Sequence, residues 1–286
     1  MGETVLPLLK IIKWKERKMI IDFHTHCFNE KIASKAMANL SHTSGGMVPE
    51  YDGTILGLKQ SMEENGVTKS VVLNIATSPK QHEVVNKFAK DICDDEIISF
   101  GSVYPLSENA IETVEEIANM GLKGIKLHPE YQSFFVDDER LIPLYKKISQ
   151  KGLIVSFHSG ADFGYLYPYH CTPKRLLNAL KYLECPVIAA HWGAFHMYEQ
   201  VCEFLCGKDI YFDTSFGYAS VPKPAAQEII NKHGVDKILF GTDGPWSNAK
   251  KEKLLIESLE LSENELSKIY FKNALKLLGE ELLFED

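Results

Sequence analysis

Two histidines one residue apart, His24 and His26, close the apolar run "MIIDFHTH". Side chains alternate across a strand, so residues two apart share a face and reach one point, while Phe23, Thr25 and Cys27 face the other way. Three further apolar runs end in histidine: His128 in "GIKLHP", His158 in "IVSFHSG" and His191 in "VIAAHWG". Another ends in a carboxylate, Asp243 in "FGTDGP", set between Gly241 and Gly244 where a backbone can be approached closely. A buried polar side chain without a partner costs about 1–3 kcal/mol, so such strand ends require something to satisfy them. A metal ion is one such partner. Imidazole nitrogen and carboxylate oxygen, with no cysteine on the same faces, suit Zn²⁺ best, with Mn²⁺ or Fe²⁺ as alternatives. Structural cages tend to be cysteine-rich, whereas three or four His/Asp ligands leave a position for water, whose pKa a bound cation lowers to about 7. The chemistry indicated is attack of an activated water on a carbonyl.

Each residue also has a plainer role. His24 and His26 could be hydrogen-bonded polar residues at a strand end. His191 could hold a water or polarise a substrate oxygen in place of ligating, and His128, ahead of Pro129, could simply line a loop. Lys126 shares a face with His128; an inward lysine can pair with a core carboxylate, bind an anionic substrate, or be carboxylated to bridge two metals, in that order of expectation. His82 and His233 read as solvated helix residues. Candidate substrate contacts are Lys126, His128, Tyr131, Tyr165, Trp192 and Trp246.

What must position these residues is a set of parallel strands. From Met19 onward, eight β-branched runs (19–26, 68–76, 97–105, 121–129, 152–160, 186–193, 210–216 and 237–245) alternate with amphipathic stretches. Helices are expected over 54–65, 81–93, 107–119, 138–149, 173–182, 195–206, 222–233, 248–258 and 262–283. Eight strand–helix units indicate a closed (β/α)₈ TIM barrel, an α/β fold, although an open doubly wound sheet would alternate similarly. Two long connections, residues 27–53 and the aromatic-rich 159–173, follow strand ends, where such barrels carry their active sites. They are expected to be loops that wall or cover the site.

The 286 residues are 45% hydrophobic and 24% charged, ordinary for a globular protein. With 31 basic against 39 acidic residues, the net charge of −8 argues against nucleic acid or anionic membrane and for a small-molecule substrate. The six cysteines contain no Cys-x-x-Cys pair and read as free thiols of a cytoplasmic protein. No apolar stretch is long enough to span a membrane. Residues 1–18 are expected to be an N-terminal extension outside the fold, and 19–286 a single barrel domain. A homodimer is one assembly to test for.

Taken together, "IDFHTH", "GIKLHP", "FHSG", "AHWG", "FGTDGP" and "KIYFKNALKLL" resemble the amidohydrolase superfamily, in particular amidohydrolase family 2, over nearly all of residues 19–279. The resemblance implies a (β/α)₈ barrel with one divalent metal, usually zinc. It implies His24, His26, His158 and Asp243 as ligands, and His191 as a residue acting on water or substrate. Asp243 would accept a proton from the attacking water and pass it to the leaving group. Binuclear members place a carboxylated lysine or a glutamate at the end of strand 4; here Lys126 stands two residues short of that end, so one metal is expected. The branch holds lactonases and amide hydrolases, and also non-oxidative decarboxylases of aromatic or dienoic acids. Carboxylate substrates usually call for a bidentate arginine, and only Arg17, Arg140 and Arg175 are available. The expectation is hydrolysis of a C–O or C–N bond, with decarboxylation as the alternative and a non-catalytic binding barrel behind both.

Overall fold

The computed structural model describes residues 19–280, so the N-terminal extension expected over 1–18 lies outside the described residues. All eight expected strands form: β1 Ile21–Thr25, β2 Lys69–Leu73, β3 Ile97–Ser102, β4 Gly124–Leu127, β5 Ile154–Phe157, β6 Val187–Ala189, β7 Tyr211–Asp213 and β8 Ile238–Leu239. They pair in parallel in sequence order. The ends of this sheet meet: Phe23 N–H donates to Phe240 O at 2.8 Å, Asp243 N–H to His24 O at 2.8 Å and His26 N–H to Gly244 O at 2.7 Å, which closes the barrel. The main helices between the strands are α1 Glu30–Thr43, α2 Ile55–Asn65, α3 His82–Asp91, α4 Ala110–Asn119, α5 Ile142–Gln150, α6 Pro173–Ala179 and α7 Lys223–His233, and α8 Ala249–Ile256 and α9 Asn273–Leu278 follow β8. Among the described residues no helix is long and apolar enough to cross a membrane.

The core has two layers. Val155, Phe157, Ala189 and Phe212 face outward to the helices. Ile21, Phe23, Phe100, Ile154, Ile188 and Leu239 fill the barrel interior, where the Phe23 and Phe100 rings meet edge to face at 5.9 Å. The sequence pattern puts Phe23 on the face opposite His24, and this is corrected by the pairing of β1 with β2. Asp22 pairs with Ser70 but Thr25 with Val72, one residue more on β1 than on β2. Such a bulge reverses the alternation beyond it. Ile21 and Phe23 therefore point inward before it, and His24 and His26 after it.

The segment 27–53 is not the loop expected of it, because α1 occupies half. Asn29 caps the helix by accepting from Lys31 N–H, and Ala33 and Met37, one turn apart, are its buried stripe. His82 is also not a solvated helix residue. It is buried, accepting from Tyr104 N–H at 2.7 Å and bonded to Thr113 Oγ1 at 2.9 Å, which satisfies both ring nitrogens inside the core. All six cysteines are free thiols.

Candidate metal centre and active site

The strand ends open into a cavity of about 540 Å³ lined by His24, His26, Lys126, His128, His158, His191 and Asp243. Lys126, His128 and His158 arrive by regular alternation along β4 and β5. His191 and Asp243 do not: they follow the last residues of β6 and β8 and are turned inward by left-handed backbone, φ 61° and φ 65°. That conformation costs a non-glycine residue about 1–2 kcal/mol, the kind of strain that clusters at functional sites.

Tautomers follow from the fixed acceptors around each ring. His26 Nδ1–H donates to Leu73 O at 2.8 Å, and His24 Nδ1–H to Asp213 Oδ2 at 2.9 Å. His158 Nε2–H donates to Ala161 O at 3.0 Å. Ser215 Oγ donates to Asp213 Oδ1, so it accepts from His191 Nδ1–H at 2.9 Å. Each of these four histidines thus engages one nitrogen and turns the other, unprotonated, toward the cavity. There acceptors meet acceptors. His24 Nε2 and His26 Nε2 lie 3.3 and 3.2 Å from Asp243 Oδ1, and His191 Nε2 lies 3.1 Å from His158 Nδ1. Lone pairs at such separations repel unless a cation stands among them. The donor set therefore fits a divalent ion bound by nitrogen and oxygen.

Burial holds His24, His128 and His191 well below the usual imidazole range and pushes His158 down to about 3. Neutral imidazole is the form that ligates a metal. Lys126 is pushed down to about 8, again chiefly by burial. Its expected pairing with a core carboxylate is not made among the described residues; Nζ instead meets His24 Nε2 at 3.4 Å.

Of the four expected ligands, His24, His26 and Asp243 have their ligand atoms within 4.8 Å of one another. His158 adjoins them through His191, whose ring centroid is 5.0 Å from that of His24. Asp213 on β7 is not among the residues that sequence reasoning singles out. It orients His24 and Ser215 and accepts His191 N–H at 3.0 Å, and its signal is a carboxylate at another strand end, in "IYFDTSF". Asp162, also outside the expected set, lies beside His128 Nε2 at 3.3 Å.

Of the candidate substrate contacts, Tyr131 and Trp246 line the cavity, Tyr131 stacked on His128 at 3.7 Å. Trp192 does not. Its indole is buried, donating to Thr214 O at 3.0 Å, because the left-handed turn that brings His191 inward sends its neighbour into the core. Tyr165 packs against Tyr131 at 5.7 Å without lining the cavity. Of the aromatic segment 159–173, Asp162 and Phe163 reach the cavity, whereas Leu166 and Tyr167 are exposed on the surface.

A family model described as Amidohydrolase matches residues 21–279. The solved structures similar to this chain include an uncharacterised TIM-barrel protein from Bordetella bronchiseptica, 19% identical, covering 92% of this chain and 99% of that one at a TM-score of 0.73. 2,6-Dihydroxybenzoate decarboxylase from Rhizobium is 14% identical, with coverage of 91% and 98% and a TM-score of 0.68. 5-Carboxyvanillate decarboxylase from Novosphingobium aromaticivorans, solved with bound manganese, is 15% identical, with coverage of 93% and 98% and a TM-score of 0.67. At these identities the likeness concerns the TIM-barrel fold. No curated protein matches the sequence.

Proposed function

The chain belongs to the amidohydrolase family, and from that premise we propose that it is a metal-dependent hydrolase that cleaves a C–O or C–N bond of a lactone, ester or amide. The observation that carries this reading is the convergence of unprotonated imidazole nitrogens on Asp243 Oδ1, with every outer N–H already engaged. His24, His26, His158 and Asp243 would hold one divalent ion, zinc before manganese or iron. Bound there, the ion supplies Lewis acidity and an activated water at neutral pH.

The remaining chemistry belongs to the chain. Asp243 uses its second carboxylate oxygen to take a proton from the attacking water and deliver it to the leaving group. His191 presents an unprotonated Nε2, so it accepts a hydrogen bond from that water and orients it; polarising a substrate oxygen would need the other tautomer. Lys126 supplies the positive charge facing the substrate's developing negative oxygen. Tyr131, His128 and Trp246 position the substrate body. Arg140 is held at the surface by Asp138, and Arg175 by Asp137 at 2.6 Å, so neither offers a fork to a substrate carboxylate in the cavity. That favours hydrolysis over decarboxylation.

The test is metal per chain by elemental analysis, then turnover of lactones, esters, amides and aromatic acids with and without chelator. About one ion per chain and chelator-sensitive hydrolysis are expected. Release of carbon dioxide from aromatic acids, with no hydrolysis, would replace the hydrolase by a decarboxylase. Absence of metal after zinc supplementation would remove both.

A further inference from the structure

The catalytic cavity has a second, apolar arm. A helix packed on a barrel needs one buried stripe, and α1 supplies it with Ala33 and Met37, α3 with His82, Asn86 and Ala89. Each helix carries another apolar stripe on a different face. On α1 it is Ile32, Ala36 and Leu40, spaced four apart; on α3 it is Val84, Val85 and Phe88. All six line the same cavity as His24 and Asp243. They are only partly covered: Ile32 is 54% exposed and Val84 64%. The two helices follow neighbouring strands, β1 and β2, so their second stripes bound a continuation of the space above the strand ends.

We propose that this arm holds the apolar chain of the substrate, which makes the substrate class an ester, lactone or amide bearing a medium-length alkyl chain. The inference rests on the hydrolase reading for the reacting end, and on the continuity of the arm with that end for its occupant. A ligand chain is the occupant of matching chemistry. It enters a space already open to the proposed metal ligands, and it removes from water side chains that the described residues cover only in part. The six side chains of the two stripes carry no polar atom, so a chain laid along them meets apolar surface, with Asn39, Thr43 and Gln81 at its margins.

The test is calorimetric binding of n-alkanoates from butanoate to decanoate, the acyl products of such a reaction, to the full-length zinc-loaded protein. Affinity should rise with length, by about fourfold for each methylene the arm fully buries and by roughly 50-fold or more over the series. Ala36→Trp fills the arm and should collapse the ratio of decanoate to butanoate affinity at least tenfold. Should that variant fail to fold by circular dichroism, Val85→Asn makes the arm polar and serves the same purpose. Equal affinity across the series would overturn the proposal, as would a length dependence that both folded variants retain. A flat series together with a dimer that Ile32→Asp dissociates would assign the stripes to a second copy of the chain instead. Binding needs no turnover, so the two readings fail separately. Length-dependent binding without hydrolysis of any alkyl ester overturns the reaction and keeps the arm; hydrolysis with a flat series does the reverse.

Discussion

Two clusters at the barrel mouth that share no residue have the same composition. His24, His26 and Asp243 form one, and His128, His158 and Asp162 the other, each with ligand atoms within 4.8 Å. They differ in where their protons are. In the first, the outer nitrogens donate to Leu73 O and Asp213, so two lone pairs face one carboxylate oxygen. In the second, His158 has committed Nε2–H to Ala161 O, and His128 accepts from Tyr131 N–H at 3.4 Å, which leaves its own Nε2–H facing Asp162. The two rings stack at 4.1 Å, nearly parallel, so their in-plane lone pairs do not converge. The first is a set of acceptors turned toward one another, as the ligands of a cation are, and the second a donor facing an acceptor. What makes a metal site is the hydrogen bonding that fixes the tautomers, more than the residue types.

The comparison breaks most severely at Asp243. In a folded Asp243→Asn variant, kcat is expected to fall by about a thousandfold or more, because the change removes a ligand charge and the proton acceptor together. Stopped assays with metal analysis check it, and near-normal turnover would take Asp243 out of the mechanism. Asp213→Asn leaves all four proposed ligands in place but loosens the tautomer of His24 and the setting of Ser215. Metal affinity should drop roughly 10- to 100-fold, the usual cost of a lost carboxylate behind a histidine ligand. Competition with a chromophoric chelator measures that, and an unchanged affinity would show that the hydrogen bonds around His24 do not matter to the ion.

A smaller effect is expected from the clamp behind the first cluster. Glu252 accepts N–H from Gly217 and Tyr218, at 2.8 and 2.9 Å, and Ser247 Oγ–H at 2.5 Å, which ties the turn after β7 to the loop after Asp243. Burial pushes its carboxyl up to about 8. The folded state therefore keeps a proton that the unfolded chain releases near pH 4. This group's contribution to stability is full below about pH 4 and is lost as pH rises through 8. Glu252→Gln mimics the protonated form, so Tm should match wild type near pH 4 and exceed it by a few degrees at about pH 8. Parallel pH profiles for the two proteins would exclude this carboxyl as the source.

Much of this is legible in the residues. Periodicity and length predict eight strands in order, and the types at their ends mark His24, His26, His158, His191 and Asp243 as one chemical group. Regular alternation suffices for Lys126 and His158. It fails for the others, because a bulge in β1 and left-handed turns at His191 and Asp243 decide which way those side chains point, and a period of two contains neither. Trp192 is misplaced by alternation for that reason. The helix over 30–43 escapes prediction because turn-forming residues flank it, although "NEKIASKAMANL" carries a cap and an apolar pair in register, Ala33 and Met37. Asp213 escapes it because β7 ends in no histidine to draw attention to it.

The sharpest use of the comparison predicts the least change. Asp162 has the burial and the histidine neighbours of a ligand, and its Oδ2, 3.3 Å from His128 Nε2, makes no hydrogen bond. If residue types alone made the site, Asp162→Asn would cost metal as Asp243→Asn does. If tautomers make it, the Asp162→Asn side chain stands beside His128 Nε2 as the carboxylate does, and nothing at the first cluster changes. Metal per chain and chelator competition should then stay within about twofold of wild type, as for a residue outside both the ligand set and the hydrogen bonds that orient it. A loss of about tenfold or more would transfer His158, Asp162 and His128 to a metal site of their own, and the ion proposed at His24 and His26 would be one of two.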